Sequence, residues 1–477
     1  MQSKLKKIHW FRQDLRIQDN PAFFEAQTNG TLLALYHYEE ELPKSDQLGA
    51  ASKVWLHHSL NALQQSLGNR LCITRGNALD QLKKLIERYQ IDQIYWNTCV
   101  EPWRVKQDRQ IQVTLESIGI KVYTFNGSYL WTQDEISKDD GSPYKVFTPY
   151  YRKGCMNATS PRQPLAAPTL DLIDASEYTI SINQLSLLPP KNWNNSIQKE
   201  WKIGEFGAHE KLKRFAQTGI KNYKEGRNFP ADPYVSRLSP HLHWGEISPN
   251  QAWYAVEQSA SEKNVDHFRS ELGWREFSAY LLHHNPFLQQ TNLQSKFDNF
   301  PWEENHQYFQ CWKKGKTGIP IVDAGMRELW KTGYMHNRVR MIVGSFLVKN
   351  LLLDWKLGEA WFRDCLVDAD HANNSASWQW VAGCGADAAP YFRIFNPVSQ
   401  GKKFDPEGAY TKKYVPELKQ MPKEFLFNPW EAPALILKEA DITLGKNYPY
   451  PIVDLKQSRE RALAAFASLK TGSYANP

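Results

Sequence analysis

The first 130 residues alternate short apolar segments of strand character with segments of helical periodicity. The predicted strands are Ile8–Phe11, Leu32–Tyr38, Leu71–Thr74, Gln93–Asn97 and Lys121–Phe125. Leucines recur at helical spacing from Leu56 to Leu67, and Gly68 then supplies a C-terminal stop. Further helices are predicted at about Leu79–Tyr89 and Val105–Ile118. This alternation favours a doubly wound parallel sheet that is covered by helices on both faces.

No GxGxxG sequence follows the first predicted strand, so a ligand of residues 1–130 would lie at the carboxyl edge of the sheet and be held in another way.

The remaining chain has a different pattern. Prolines become frequent and periodicity fades between about Met156 and Ser196. The helices predicted beyond Ile203 are His209–Thr218, Ser248–Ser259, Val265–Leu282, Ile321–Lys331, Asn337–Leu353 and Glu359–Leu366. We therefore predict an α/β domain at residues 1–130, a connector at 131–200 and an all-α domain at 201–477.

Length and composition limit the possible classes of protein. A chain of 477 residues is too long for a single hydrophobic core, which agrees with two domains. Its net charge of +7 permits a polyanionic partner without requiring one. The six cysteines lack ligand-like spacing, so we predict no metal site and a reducing, cytosolic environment. Because the N-terminus has no signal-peptide pattern and no segment is long and apolar enough to span a membrane, we expect a soluble, cytoplasmic protein.

The stretch from Asp368 to Pro397 begins with an unusual concentration of carboxylates, amides and indoles. These residues are Asp368, Asp370, Asn373, Asn374, Trp378 and Trp380. Carboxylates and amides offer acceptors and donors to a flat heteroaromatic ring, and indoles stack on such a ring or exchange electrons with it. The alternative is a capped helix end followed by core tryptophans.

Two predicted helices each carry functional residue types on one face. The faces are Glu271, Trp274, Arg275 and Ser278 on the first helix, and Asn337, Arg340, Met341 and Gly344 on the second. The Gly and the Met of the second face leave room for a ligand beside a soft wall. The alternatives are an exposed Glu–Arg pair beside a packed indole and an ordinary helix crossing. We interpret the neighbouring His336 as a structural histidine.

Eight sequence blocks, in order, resemble the cryptochrome/photolyase family from residue 10 to about residue 455. They are the stretch above together with WFRQDLR (10–16), YKVFTPYYR (144–152), FPA with SRLSPHLHWGEISP (229–249), ELGWREF (271–277), GKTGIPIVDAGMREL (315–329), MHNRVRM (335–341) and SFLVKNLLLDW (345–355). Within the family, the chain resembles a class I cyclobutane pyrimidine dimer photolyase. The resemblance implies an α/β antenna domain and an all-α C-terminal domain that binds FAD in a U-shape. It also implies a monomer that acts on UV-damaged DNA.

The resemblance assigns several residues to the FAD site. They are Tyr223, Ser236, Arg237, Leu238, Ser239, Phe268, Arg275, Arg340, Asp368, Asp370 and Asn374. Asn374 matches the residue that faces flavin N5, where an amide cannot readily give up a proton as a carboxylic acid could. We expect Arg340 and Asp368 to pair, because an unpaired buried charge is costly.

The implied activity is light-driven repair, in which an electron passes from reduced FAD to a dimer that has been flipped out of the DNA stack. Trp274, Trp380 and Met341 match the walls of the dimer pocket, while Glu271 and Asn337 match groups that hydrogen-bond the pyrimidine edges. Glu271 is also expected to share a proton with the dimer. The expected electron relay to the surface is Trp378, Trp355 and Trp302. The candidates for contacts with DNA phosphates are Arg227, Arg275, Arg338, Lys402 and Lys403.

Other functions stay open on the sequence. The (6-4) photoproduct enzymes carry two histidines at the positions of Asn337 and Met341, so cyclobutane dimers are favoured. A blue-light receptor without repair activity is the alternative, and an electron-transfer flavoprotein without DNA is a third class. The antenna pigment could be methenyltetrahydrofolate, a deazaflavin, another flavin or none, although Trp103-Arg104 and Gln289-Gln290 differ from folate-binding photolyases. His371 stands where Leu is commoner, and it could tune the flavin or simply pack.

Overall fold

The N-terminal half contains a five-stranded parallel sheet. In the computed structural model, which describes residues 4–387 and 392–471, the strands are β1 (Leu5–Phe11), β2 (Gly30–Tyr38), β3 (Leu71–Arg75), β4 (Gln93–Asn97) and β5 (Lys121–Phe125). Their spatial order is β3-β2-β1-β4-β5, and every neighbouring pair is parallel. Each predicted strand is thus confirmed, because short runs of strand-forming residues between turn residues are a strong local signal.

Helices cover both faces of this sheet, as the alternating pattern predicts. They are α1 (Pro21–Gln27), α2 (Ala50–Ser66), α3 (Ala78–Tyr89) and α4 (Pro102–Ser117). One face packs with α1 and α2, and the other packs with α3 and α4. Helix α1 was not predicted. Its signal is short: the Asn20 side chain caps the helix by accepting from the Phe23 backbone N–H, and Pro21 occupies the first position.

The rest of the described chain is helical. In order, the elements are α5 (Phe147–Pro149), α6 (Asn195–Glu200), α7 (Glu205–Gln217), α8 (Tyr223–Gly226), α9 (Ser239–His243), α10 (Pro249–Ala255), α11 (Glu262–His284), α12 (His306–Lys313), α13 (Pro320–Thr332), α14 (Asn337–Ser345), α15 (Trp355–Cys365), α16 (His371–Ala382), α17 (Pro397–Phe404), α18 (Ala409–Tyr414), α19 (Ala434–Glu439) and α20 (Leu455–Thr471). The predicted fold class, an α/β domain followed by a helical domain, is confirmed.

Two predicted helix ends were wrong. The helix predicted to run from Asn337 to Leu353 leaves α geometry after Ser345, continues as the π-helical segment Phe346–Asn350, and stops before Leu352, whose φ is +53°. The helix predicted to end at Ser259 ends at Ala255. Both sequences keep helical periodicity past the true end, so local pattern alone overestimates the length.

The segment predicted as a connector packs back on the sheet. Leu32 donates its backbone N–H to the Asp171 carbonyl and accepts from Ile173, so that Leu172 forms a parallel bridge with Leu32. Ile180 donates in the same way to the carbonyl of Ile73. Backbone pairing of this kind does not need strong periodicity, which explains why the sequence of this segment carries little local signal.

The two halves are joined by buried polar groups. The Arg16 guanidinium, which is fully buried, donates to the carbonyls of Asp19 (2.7 Å), Gly127 (2.6 Å) and Gly245 (2.9 Å). The indole of Trp55 donates to Glu246, whose other carboxylate oxygen lies 2.5 Å from His241 Nδ1. These contacts connect the turn after β1 and helix α2 with the loop after α9. They fix the sheet edge against the helical half.

None of the helices between residues 4 and 387 or between 392 and 471 combines the length and the apolar character that crossing a membrane requires.

We predict that Arg16→Leu destabilises the protein by about 3 kcal/mol or more, because three buried carbonyls lose their donor. The matched control is Arg70→Leu, which removes a half-exposed guanidinium 3.7 Å from Asp174 and should cost about 0.5 kcal/mol or less. Urea unfolding of the FAD-loaded protein measures both. Equal effects of the two substitutions would contradict this role for Arg16.

Candidate functional site

A cavity of about 510 Å³ lies in the helical half, between α11, α14 and α16. Both predicted faces contribute to it: Glu271, Trp274, Arg275 and Ser278 from α11, and Asn337, Arg340, Met341 and Gly344 from α14. The cavity wall also includes Tyr223, Arg227, Ser236, Ser239, Phe268, Asp368, Asp370, Asn374, Trp378 and Trp380. Residues that are more than 150 positions apart in the sequence therefore meet around one space.

The Asp368–Pro397 stretch places its polar residues by forming a helix N-terminus. Asp370 is the N-cap of α16 and accepts from the backbone N–H of Asn373 at 2.7 Å. Burial alone would raise the pKa of Asp370, but the nearby His243 and Arg275 and the capping hydrogen bond outweigh it, so this pKa lies well below its usual range. Asp370 is therefore a fixed acceptor at the cavity wall. Residues 388–391 of the stretch lie outside the described residues.

The expected pair of Arg340 and Asp368 is present. Arg340 Nη2 lies 3.0 and 2.8 Å from the two carboxylate oxygens of Asp368, and its Nε donates to the Met335 carbonyl. Ser239 Oγ donates to Asp368 Oδ2 at 2.6 Å. The buried carboxylate is thus neutralised and hydrogen-bonded, which is the condition for keeping a charge inside a protein.

The amide of Asn374 has a fixed orientation. Its Nδ2 donates to the backbone carbonyl of Glu359 at 3.1 Å and to Glu359 Oε1 at 2.9 Å. This leaves Oδ1 as the amide atom that is free to accept from a group in the cavity. Burial raises the pKa of Glu359, while Arg363 and His371 act against that rise. The sequence analysis missed Glu359, because nothing in the local sequence connects a residue of α15 with one of α16.

The three predicted walls of the dimer pocket are each held by a neighbour. The Trp274 ring stacks on Phe147, with centroids 3.7 Å apart and planes 11° apart. Trp380 Nε1 donates to the Asp387 carbonyl at 3.2 Å. Met341 Sδ lies 3.7 Å from Arg338 Nη1. Two indoles and a thioether of the cavity wall therefore offer apolar surface beside its polar groups, and we call this part of the cavity the slot.

Glu271 forms an ion pair that the sequence did not predict. Both terminal nitrogens of Arg227 contact its carboxylate: Nη1 contacts Oε1, and Nη2 lies 2.8 Å from Oε2. Nη1 also lies 3.0 Å from His267 Nε2. Arg227 comes from the end of α8 and Glu271 from the middle of α11, so only the packing of these helices brings the pair together.

Some predicted site residues lie beside the cavity instead of in its wall. Among the described residues, the side chains of Arg237 and Leu238 do not line it: Arg237 pairs with Glu200 at 2.8 Å, and Leu238 is buried in the core. Trp378 lines the cavity, Trp355 is fully buried behind it, and Trp302 is half-buried with its ring 4.3 Å from Phe300. The remaining candidates for DNA contacts are on or against α17: Lys402 and Lys403 are exposed, and the Arg338 guanidinium covers the Phe404 ring.

The cavity offers unsatisfied polar groups to a ligand. His243 is buried and lines the cavity, yet neither of its ring nitrogens has a hydrogen-bond partner among the described residues. Buried polar atoms normally have partners, so this is a site where a bound group would complete the hydrogen bonding. Gly344 lets α14 approach α16 closely at the cavity wall, because a Cβ there would come within 3.2 Å of Val381. These features fit a large, polar, heteroaromatic cofactor such as FAD.

Known proteins resemble this chain over nearly its whole length. Residues 7–169 match the family described as DNA photolyase, and residues 268–468 match the family described as the FAD binding domain of DNA photolyase. A deoxyribodipyrimidine photo-lyase of Agrobacterium fabrum is 44% identical over 473 residues, which are 97% of this chain and 98% of that relative. The chain belongs to the photolyase and cryptochrome family.

Other relatives define its place in the family more closely. The crystal structure of a bacterial class III photolyase from Agrobacterium tumefaciens has a TM-score of 0.95 and 43% identity, and covers 99% of both chains. Cryptochrome-1 of Arabidopsis thaliana is 33% identical over 477 residues, 97% of this chain and 70% of that relative. The family resemblance is confirmed, but the narrower assignment to class I is not supported. The matched blocks surround the common site, so they identify the family and not its class.

A second cavity of about 330 Å³ lies at the carboxyl edge of the sheet, where a ligand of the photolyase N-terminal domain was expected. Its sheet-side wall includes Glu39, Glu101 and Arg104, each with a buried polar atom that lacks a hydrogen-bond partner among the described residues. The helical half contributes Glu359 and His371. Its wall is shared in part with the larger cavity, since His243, Asp370 and Asn374 line both.

The helix that carries the second face, α14, starts at a buried histidine. His336 is its N-cap, and its Nδ1 accepts from the Arg338 backbone N–H at 3.2 Å. Burial, together with the nearby charges of Arg227, Arg338, Arg340 and Arg237, lowers the pKa of His336 to about 3. The structural role predicted for His336 agrees with this position.

We predict that His336→Asn reduces the loss of stability in mild acid. Below pH 6.5 the unfolded chain takes up a proton on His336 that the folded protein cannot bind until about pH 3, so stability falls as the pH drops through this window. Between pH 7 and pH 5 the wild type should lose about 2 kcal/mol more than the variant, because Asn still caps the helix without titrating. Urea unfolding at both pH values measures this, with the exposed His306→Asn as the matched control.

Proposed function

We propose that this protein repairs cyclobutane pyrimidine dimers in DNA in a light-dependent reaction that uses FAD. The observation that supports this most directly is the composition of one cavity. Its polar part carries the residues assigned to FAD, and its open part has two indoles, a thioether, a carboxylate and an amide at the positions assigned to the dimer. An electron-transfer flavoprotein would not need the second set.

Each polar side chain in the cofactor part of the cavity has its own role. Arg340 and Asp368 form a neutral pair that would lie beside the bound ring, and Ser239 orients the carboxylate. Arg275 donates to the Ser128 carbonyl at 2.7 Å and contacts Glu276 and the Leu242 carbonyl, and its remaining N–H groups could bind a phosphate or a ring oxygen. FAD, when bound in its reduced form, would supply the light-absorbing electron donor.

The orientation of Asn374 favours the reduced form of the cofactor. Its Oδ1 can accept from an N–H group of the ring, whereas its Nδ2 is already used by Glu359. An oxidised flavin presents an acceptor at N5, and a reduced flavin presents an N–H donor there. An acceptor amide therefore stabilises the second state relative to the first.

The dimer part of the cavity fits two linked pyrimidines, whose faces are apolar and whose edges are polar. Trp274, Trp380 and Met341 would cover the faces of the dimer. Stacking on Phe147 holds the Trp274 indole in place, and the hydrogen bond to the Asp387 carbonyl holds that of Trp380. The exposed Asn337 amide offers both a donor and an acceptor to a pyrimidine edge. Damaged bases stack weakly, so extrusion of a dimer into this slot costs less than extrusion of an intact base, a principle already known for photolyases.

DNA binding is attributed to basic residues beside the cavity and on α17. Among the described residues, Arg338 has no carboxylate within ion-pair distance, so its charge is available to a phosphate. Exposed Lys402 and Lys403 add positive charge on the adjacent helix. The net charge of +7 supports the same assignment, since phosphate contacts dominate the affinity of proteins for DNA.

We also propose that the second cavity binds an antenna chromophore. Its unpaired carboxylate and guanidinium atoms suit a heteroaromatic ligand with both donors and acceptors. Methenyltetrahydrofolate and a deazaflavin both carry such donors and acceptors, so the identity of the chromophore stays open. The absorption spectrum of the purified protein, before and after denaturation, distinguishes these pigments from an empty site.

We predict that the reduced protein restores thymine dimers in an oligonucleotide to thymines under blue light and leaves them unchanged in the dark. Trp380→Ala should lower the yield by at least tenfold while FAD stays bound, because one wall of the slot is lost. The same illumination of an undamaged oligonucleotide is the control. A blue-light receptor without repair activity, the alternative function, would bind FAD and change colour under light yet leave the lesions intact.

We predict that Trp302→Phe slows the light-driven reduction of oxidised FAD by at least tenfold, because phenylalanine is a poorer electron carrier at the outer end of the proposed relay from Trp378 through Trp355. Repair by chemically reduced protein should be unchanged. Absorbance at the flavin bands follows the first rate, and dimer loss follows the second. Equal loss of both activities would show that Trp302 supports the fold and not the relay.

A further inference from the structure

The ion pair of Arg227 and Glu271 joins two groups with different proposed partners. Arg227 is a candidate for a DNA phosphate, and Glu271 is a candidate for the pyrimidine edge. In the structure the two residues pair with each other instead, because both terminal nitrogens of Arg227 contact the Glu271 carboxylate. The pair is largely shielded, with 16% of the Arg227 side chain and 27% of the Glu271 side chain exposed.

We infer that this ion pair makes DNA binding depend on the lesion, because Arg227 becomes free for a phosphate only when a dimer in the pocket replaces it at Glu271. The inference rests on the proposed function and concerns its selectivity. In the free protein Arg227 is occupied. In the complex the pyrimidine N–H groups donate to Glu271, and the guanidinium turns to the backbone beside the extruded dimer.

The cost of separating the pair supplies the selectivity. Moving Arg227 to a phosphate while the pocket is empty would leave a shielded carboxylate without a donor, which is unfavourable. A dimer removes that cost because its own donors satisfy Glu271. Undamaged DNA keeps its bases in the stack and offers no such donors. Occupation of the pocket and phosphate binding at Arg227 therefore favour each other, and this coupling is reciprocal.

The surroundings hold Arg227 in its closed position. His267 Nε2 lies 3.0 Å from Arg227 Nη1, and the Tyr223 ring lies 5.7 Å from the guanidinium carbon. The carboxylate, the imidazole and the ring define one orientation of the planar guanidinium. A lysine would make only a single point contact with Glu271 and would lack this orientation.

Arg338 provides an internal comparison. It lies beside Met341 of the cavity wall, and its described contacts are the Asn228 side-chain oxygen, Met341 and the Phe404 ring, none of which is charged. Its phosphate binding is therefore not opposed by an ion pair. Arg338 should bind phosphates of damaged and undamaged DNA equally, whereas Arg227 should bind a phosphate of damaged DNA alone.

The test measures the dissociation constants of undamaged and dimer-containing duplexes against NaCl concentration in the dark. Glu271→Gln removes the charge that holds Arg227. It should raise the affinity for undamaged DNA on the order of fivefold and steepen the slope of log K against log [NaCl] by about 0.9, as one additional phosphate contact would. Adding Arg227→Ala to this variant should cancel both changes.

The single variants separate the two arginines. Arg227→Ala should weaken binding of the damaged duplex and reduce its salt slope by about 0.9, with the undamaged duplex unchanged. Arg338→Ala should weaken both duplexes to the same extent. Arg227→Gln and Arg227→Lys are measured alongside, and FAD absorbance verifies that each variant is folded. Arg227→Lys should bind the damaged duplex almost normally and the undamaged duplex more tightly than the wild type, because its link to Glu271 is weaker.

Two results would overturn the inference: an Arg227→Ala variant that loses affinity equally for both duplexes, or a Glu271→Gln variant whose affinity for undamaged DNA is unchanged. In either case a wild type that still repairs dimers leaves the proposed function intact. A wild type with no preference for damaged DNA and no repair would refute the proposed function itself.

Discussion

The close packing of three helices around α16 is the constraint on which the site depends. Gly358 of α15 lies against the Trp378 ring, where a Cβ would overlap the indole, and Gly344 of α14 approaches Val381. Gly273 of α11 lies against Tyr151 of the segment Tyr150–Gly154. Close approach at Gly344 and Gly358 lets α14 and α15 pack on α16, and α11 packs on the same short helix. The faces that carry the functional side chains then converge on a single space.

Most of the arginines around this space are paired with a carboxylate. Four arginines surround His336, and three of them have a carboxylate: Arg227 has Glu271, Arg237 has Glu200 and Arg340 has Asp368. Of the four, Arg338 alone lacks a carboxylate partner among the described residues, and it lies beside Met341 of the cavity wall. A buried charge needs a partner, whereas a partly exposed guanidinium does not. The pairing pattern thus distinguishes the three paired arginines from the one that no carboxylate opposes.

The two cavities are separated by a thin polar wall. His243, Asp370 and Asn374 face both spaces, and Glu359 reaches Asn374 from the side of the second cavity. A ligand in the sheet-edge cavity would therefore lie close to groups assigned to the flavin. Arg16 and the Trp55–Glu246–His241 contacts fix the sheet against the helical half that supplies this wall. The rigidity of the domain interface is consequently part of the site and not only of the fold.

The sequence by itself determined the five strands, most of the helices, the two functional helix faces and the family, because each depends on local periodicity or on an ordered set of short motifs. It also indicated the Arg340–Asp368 pair, since buried charges require partners. Only the tertiary structure decided that Arg227 holds Glu271, that Glu359 orients Asn374 and that Phe147 supports Trp274. Those contacts join residues on separate helices, and their formation depends on helix crossing geometry. No local pattern in the sequence encodes that geometry.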